Sequence, residues 1–345
     1  MDLKINDKRN SKDFTSITFS GFKKSQVIQE ILKSLLNNNV ETACYWSAEL
    51  ICSGHLIELW ELIILYIGKY INIGSPKLFL FIDSCIDQFK RISSQSYLLD
   101  ELELRNDESI RNLFAEIMCV YCHSKRKHPL SECKISYLEF NIKNLGDKLK
   151  APHVEFIKDI FNEGDPKEIY FALNELYYSI SVLKDNVTAC YWIDWIIEFD
   201  IEVRKQKSKK IACKRDYIPV NEKEKCSLIW TIWDIFIDIS NKQPSSKRIV
   251  DSILKIFCLK YGKGIPKRRK MLLYNCVLLL TEKIDYTIPI IHDKTLLTKI
   301  QENIFKIYKQ IKENEISILP PIMIKSSKDK SINKMEILKT MDKYS

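Results

Sequence analysis

Cys119-x-x-Cys122, followed by His123, His128 and Cys133, is the stretch whose residue types and spacing most resemble a metal site. Tetrahedral zinc takes four nitrogen or sulfur ligands, commonly as two close pairs, and Cys119, Cys122, His128 and Cys133 could supply them. The surrounding FAEIMCVYCHSK, however, has the pattern of one continuous helix, and the second pair has no standard form. Two cysteines at i, i+3 on an apolar helix are more often simply packed against a core. No metal and no cofactor is therefore expected.

The basic runs carry more weight. RKQKSKKIACKR at 204–215 holds Arg204, Lys205, Lys207, Lys209, Lys210, Lys214 and Arg215 and no acid; KYGKGIPKRRK at 260–270 adds Lys260, Lys263, Lys267, Arg268, Arg269 and Lys270. These cations outnumber the net charge of the whole chain, +9, so positive charge is segregated into the second half. Clustered Lys and Arg neutralise phosphates and release counterions. The absence of aromatics within 204–215 argues against base stacking, so any nucleic-acid contact made by Arg204 to Arg215 and Lys267 to Lys270 would be to phosphate, with weak sequence preference. The competing explanation is a solvated, Lys-rich loop in a chain whose abundant Ile, Lys and Asn look like the output of an AT-rich genome.

Support for catalysis is thin. Five histidines occur, none within H-E-x-x-H, and no G-x-S-x-G or G-x-x-x-x-G-K-[ST] is present. Asp234 and Asp238 lie at i, i+4, which on a helix reads as a solvated acidic face. An enzyme with an unrecognised site remains the third choice, because helical enzymes assemble sites from distant residues.

The elements that must position these residues are helices. The chain is 46% apolar with only 8 Gly and 10 Pro, too few for the turn-rich sequence of an all-β protein. Apolar residues recur at helical spacing from 21 to 36, and further helices are expected at 40–53, 56–73 and from Ser75-Pro76 through LFLFIDSCIDQF. Residues 93–108 read as a surface loop. Helices resume at 109–124, 135–145, after Asp165-Pro166, and at 187–203, 222–241, 246–261, 267–283 and 293–314. Asp165 with Glu168 three residues on suggests a capping box. No run approaches the ~20 apolar residues of a membrane span, and the polar N-terminus lacks a secretory pattern. The 11 cysteines, an odd number set mostly among apolar residues, read as reduced core thiols in a cytoplasmic or nuclear compartment.

One internal repeat stands out. NVETACYWSAELI from Asn39 and NVTACYWIDWII from Asn186 bring Thr42-Ala43-Cys44-Tyr45-Trp46 onto Thr188-Ala189-Cys190-Tyr191-Trp192 if one gap is allowed. The spacing predicts an all-α, two-lobed tandem duplication of helical hairpins: an arm at 1–21, a first lobe at 22–150, a second at 151–315 with a basic insertion at 200–226, and a flexible tail at 316–345. Residues 40–72 and 187–240 should superpose, with Trp46 and Trp192 in equivalent buried places.

Ala43, Tyr45, Trp46, Ala48, Leu50, Ile51 and Gly54 also fit the pattern A-x-Y-W-x-A-x-φ-φ-x-x-G, with φ apolar, which is similar to a helix in the C-terminal helical region of RarA-type, clamp-loader-related ATPases. The resemblance spans about a dozen residues, and the ATPase module has no counterpart here; Gly262-Lys263-Gly264 lacks the loop's remaining elements. It implies at most a helical assembly module, and ATP binding is not carried over. The expected function is a non-enzymatic scaffold or adaptor that binds a protein partner in a groove between helical hairpins; the resemblance implies a DNA-handling assembly as its setting. The alternative is a nucleic-acid-binding accessory protein.

Overall fold

The computed structural model describes residues 4–95, 101–205 and 212–316. The tail beyond residue 316 and Lys207, Lys209 and Lys210 fall outside them. Among the described residues the secondary structure is mainly helical, and Ile17 and Lys23 form an isolated antiparallel bridge. No helix among them is long and apolar enough to cross a membrane. Twelve α-helices follow in chain order: α1 Lys24–Leu36, α2 Val40–Cys52, α3 Leu56–Tyr66, α4 Leu78–Gln95, α5 Glu108–His123, α6 Tyr170–Tyr178, α7 Asn186–Lys205, α8 Ile229–Asn241, α9 Pro244–Cys258, α10 Ile265–Arg268, α11 Lys270–Thr281 and α12 Thr295–Lys312.

Two hairpins, α1–α2 and α6–α7, are built alike. α6 runs on into a π turn, Ser179–Leu183, so its helical span ends in step with that of α1. The connection then passes through a left-handed residue, Asn38 (φ 56°) in one hairpin and Lys184 (φ 54°) in the other. Next comes an N-cap: the Asn39 side chain accepts from the backbone N–H of Thr42, and Asp185 accepts from that of Thr188. Helix and repeat motif follow, and Tyr45–Trp46 and Tyr191–Trp192 make the same edge-on ring contact, at 5.1 and 5.0 Å. Each pair of equivalents is separated by the same number of residues, so the motif aligns without a gap and the partner of Asn39 is Asp185, not Asn186. The correspondence covers 24–52 and 170–198 and does not extend over 40–72 and 187–240. α3 follows α2 after a short turn at Gly54 (φ 72°), whereas α8 begins 24 residues after α7 ends. The two tryptophans differ as well: Trp192 is fully buried, and Trp46 is half-buried against Phe22.

The two lobes share one hydrophobic core. α4 packs on α9, and α11, whose residues Met271 to Leu280 are all buried, packs on α7, α8 and α9 and on the π turn Ile67–Ile71 that ends α3. The Asn275 amide on α11 donates to the Gly68 carbonyl in that turn (2.8 Å). α12 crosses back. Placed in the second lobe by chain order, it packs on α2 and α5 of the first, burying Ile307, Tyr308 and Ile311. The arm is docked too: Ile5, Phe14 and Phe19 are buried, and the Lys8 N–H donates to the Ile316 carbonyl (3.1 Å).

Four local expectations need correction. The described part of 93–108 is not a surface loop: α4 runs on to Gln95, and the 3-10 helix Glu101–Asn106 buries Leu102, Leu104 and Arg105. Residues 135–145 form short 3-10 turns, because Ser136 with Glu139 and then Asn141 each cap a new turn and stop the one before. Residues 222–228 precede α8, which starts at Ile229. Asp165 makes no capping box with Glu168; its buried carboxylate is taken by Arg215.

Candidate functional site

Among the described residues the two basic runs touch where Arg204 meets Lys263, and most of their cations are already engaged. At the C-terminal end of α7 the Arg204 guanidinium donates to the Lys263 carbonyl (3.4 Å), and Lys267 pairs with Glu198 on α7 (2.8 Å), so the runs at 204–215 and 260–270 meet. Arg204 also pairs with Asp200, Lys205 with Glu202 (3.3 Å), and Lys214 with Asp216 and Glu222 (2.6 and 2.9 Å). Arg268 reaches Glu61 (3.5 Å).

Three members of the predicted nucleic-acid set are structural. Arg215 is buried, with Asp165 Oδ1 at 2.5 Å and Asp234 Oδ2 at 2.9 Å. Burial opposes its charge, and the bonds to Asp165 and Asp234 more than restore it. Arg269 is buried as well; it donates to the Ile256, Phe257 and Leu259 carbonyls, capping the end of α9, and to Glu61 (2.6 Å). Lys270 lies between Asp194 (3.1 Å) and Glu132 (3.0 Å). These cations neutralise acids of their own chain, so they cannot form a phosphate-tracking surface. The rows of like charge in the sequence hid which acids, distant in the chain, fold onto them.

The cysteine set is not assembled. Cys119 and Cys122 are buried in α5, where burial pushes their thiols up to about 11 and about 12, with the neighbouring Glu116 acting on Cys119 and Cys119 on Cys122. Cys133 lies elsewhere, its backbone N–H on Asp194 (2.8 Å). Among the described residues no group of three or more His, Cys, Asp or Glu is arranged to hold a metal ion. Asp234 and Asp238 do not form a solvated acidic face: Asp234 accepts from Arg215 and Tyr217, and Asp238 from Tyr177 (3.0 Å) and Lys242 (2.7 Å).

A mainly apolar hollow lies at the seam between the halves. A cavity of about 720 Å³ opens between α3 and α4 on one side and the end of α9 on the other. Trp60, Ile86, Phe89 and Leu259 line its walls, with Lys90, Lys255 and Lys260 among its charged residues. Ile57, 41% exposed, lines both this cavity and a neighbouring one of about 480 Å³ under α11. On the other side it adjoins a charged cavity of about 880 Å³ between α4 and α9, with Asp87, Lys90 and Lys255 shared. The three cavities adjoin one another through these shared lining residues and are together called the seam groove; no histidine lines them. Sequence reading missed this site because its residues are scattered over α3, α4 and α9 and each looks like ordinary core. The available signal was Ile57, an apolar residue out of phase with the buried face of its helix.

No protein-family model, no curated protein and no solved structure matches this chain.

Proposed function

We propose that the protein is a non-enzymatic helical adaptor that holds a partner protein in the seam groove. The observation that carries this reading is the groove itself: an open apolar channel with charged residues along it, built jointly by both halves of the chain. Pockets lined by converging acids and histidine would favour catalysis; an apolar channel flanked by charge suits an amphipathic helix laid into it. The resemblance of the α2 motif to a helical assembly region agrees with a role by contact and suggests a DNA-handling assembly as its setting.

The test compares purification of the tagged wild type and Ile57→Glu from native cells, with partners identified by mass spectrometry. Ile57 is exposed enough for the fold to tolerate a charge, which a thermal unfolding curve verifies. A stoichiometric partner lost in the variant is the expected result. A partner retained by Ile57→Glu, or none with the wild type, refutes the reading.

The meeting of the two basic runs at the end of α7 favours a second reading, a nucleic-acid-binding accessory protein. Its variant is Lys207→Glu/Lys209→Glu/Lys210→Glu. Duplex DNA binding should show a log-log salt slope near −0.9 per phosphate neutralised, with about three or four contacts once the buried cations are set aside. Affinity should fall alike on every sequence. No binding at low salt, or binding indifferent to the triple change, removes this reading.

A further inference from the structure

Building on the adaptor reading, we propose that the groove is charge-selective: it receives an amphipathic helical segment with an apolar stretch followed, at one end, by acidic side chains that pair with Arg91 and Arg248. Among the described residues five acids line the groove, and each is already neutralised by its own chain: Asp83 by Lys255 (3.1 Å), Asp87 by Lys90 (3.7 Å), Asp251 by Lys247 (2.5 Å), Glu58 by Lys24 (2.7 Å) and Glu61 by Arg269 (2.6 Å). Arg91 on α4 and Arg248 on α9 are exposed, line the same 880 Å³ cavity, and have no acid within ion-pair distance among the described residues. Among the described residues that end of the groove therefore has uncompensated positive charge, and the middle has Trp60, Ile86, Phe89 and Leu259. Two guanidinium groups in one cleft are suited to carboxylates, which they hold through paired N–H bonds. A phosphate would satisfy only the arginine end and leave the apolar middle uncovered. Along α4 the lining runs from Leu80 to Ser93, about 20 Å at 1.5 Å per residue, so a helix of about 14 to 16 residues would fill it.

The experiment selects binders from a displayed library of random peptides of about 16 residues, using the full-length protein, and measures the selected peptides by fluorescence anisotropy. The expected binders have apolar residues at i, i+3 or i+4 and i+7 and acids clustered at one end. They should bind Arg91→Glu/Arg248→Glu at least about tenfold more weakly. Peptide twins with Lys in place of the acids should recover binding to that double variant. Both arginines are exposed, so the fold should be kept, as circular dichroism would verify. Binders that need Ile57 but carry no acids, or that ignore the double variant, overturn the charge selection and leave the adaptor reading standing. Binders indifferent to Ile57→Glu, or no enrichment at all, overturn both.

Discussion

At the scale of single residues, the same side-chain type serves opposite ends. Lys207 and Arg215 belong to one basic run, yet Arg215 is locked between two carboxylates inside the protein. Its removal would leave the buried Asp165 and the half-buried Asp234 without their cation, and losing one partner of a buried ion pair costs about 3–5 kcal/mol. Arg215→Ala should therefore unfold at markedly lower denaturant, and any loss of binding it shows would reflect the fold. The repeat tryptophans divide in the same way. Trp192→Ala should cost about 3–5 kcal/mol, the range for an aromatic removed from a core, and Trp46→Ala clearly less, because Trp46 is half-buried; denaturant titration of the two variants compares them directly. Composition and periodicity made both tryptophans legible as packed residues. Nothing along the chain distinguished Arg215 from its neighbours, because burial of a charge depends on acids 50 and 19 positions away.

At the scale of elements, the helices were legible wherever an apolar face runs unbroken, as in α1, α2, α5, α7 and α9. They were misread where a polar side chain captures the backbone, as Ser136 and Asn141 do. The paired hairpins show how a cap tunes an otherwise shared design. Asn39 caps α2 without charge; Asp185 caps α7 with one. Partial burial would raise the Asp185 carboxyl, but the Thr188 hydroxyl and N–H and the Lys150 ammonium outweigh it and hold it at about 2, below its ordinary 3.8. A carboxylate depressed by folding contributes stability that is fully present above its ordinary value and is lost as pH falls through the folded one. The wild type should thus lose this contribution between about pH 4 and pH 2. Asp185→Asn, which copies the first hairpin, should keep a cap and show a shallower fall of Tm over that window. An identical fall in both proteins would count against a native role for the Asp185 charge.

At the scale of the whole molecule, chain order suggested two lobes, and the packing joins them at three places. α4 lies on α9, α11 seats on the π turn after α3, and α12 returns to cover α2 and α5. The groove depends on this joining, since α3 and α4 supply one wall and α9 the other. A division at residue 150 would strip α12 from the first half and expose the places on α2 and α5 where Ile307, Tyr308 and Ile311 pack. Exposed apolar patches of that kind drive association. The fragment 1–150 should therefore aggregate or bind a hydrophobic dye, and the full chain should unfold in one transition, seen alike by tryptophan fluorescence and far-ultraviolet circular dichroism. Fusing 293–316 to the end of 1–150 should restore solubility to the fragment more than a scrambled helix of equal composition does. Two separated transitions in the full chain, or a fragment 1–150 that is soluble and cooperative by itself, would mean that the halves fold independently. The groove would then open and close with their relative motion; a single transition makes it a fixed feature of the fold.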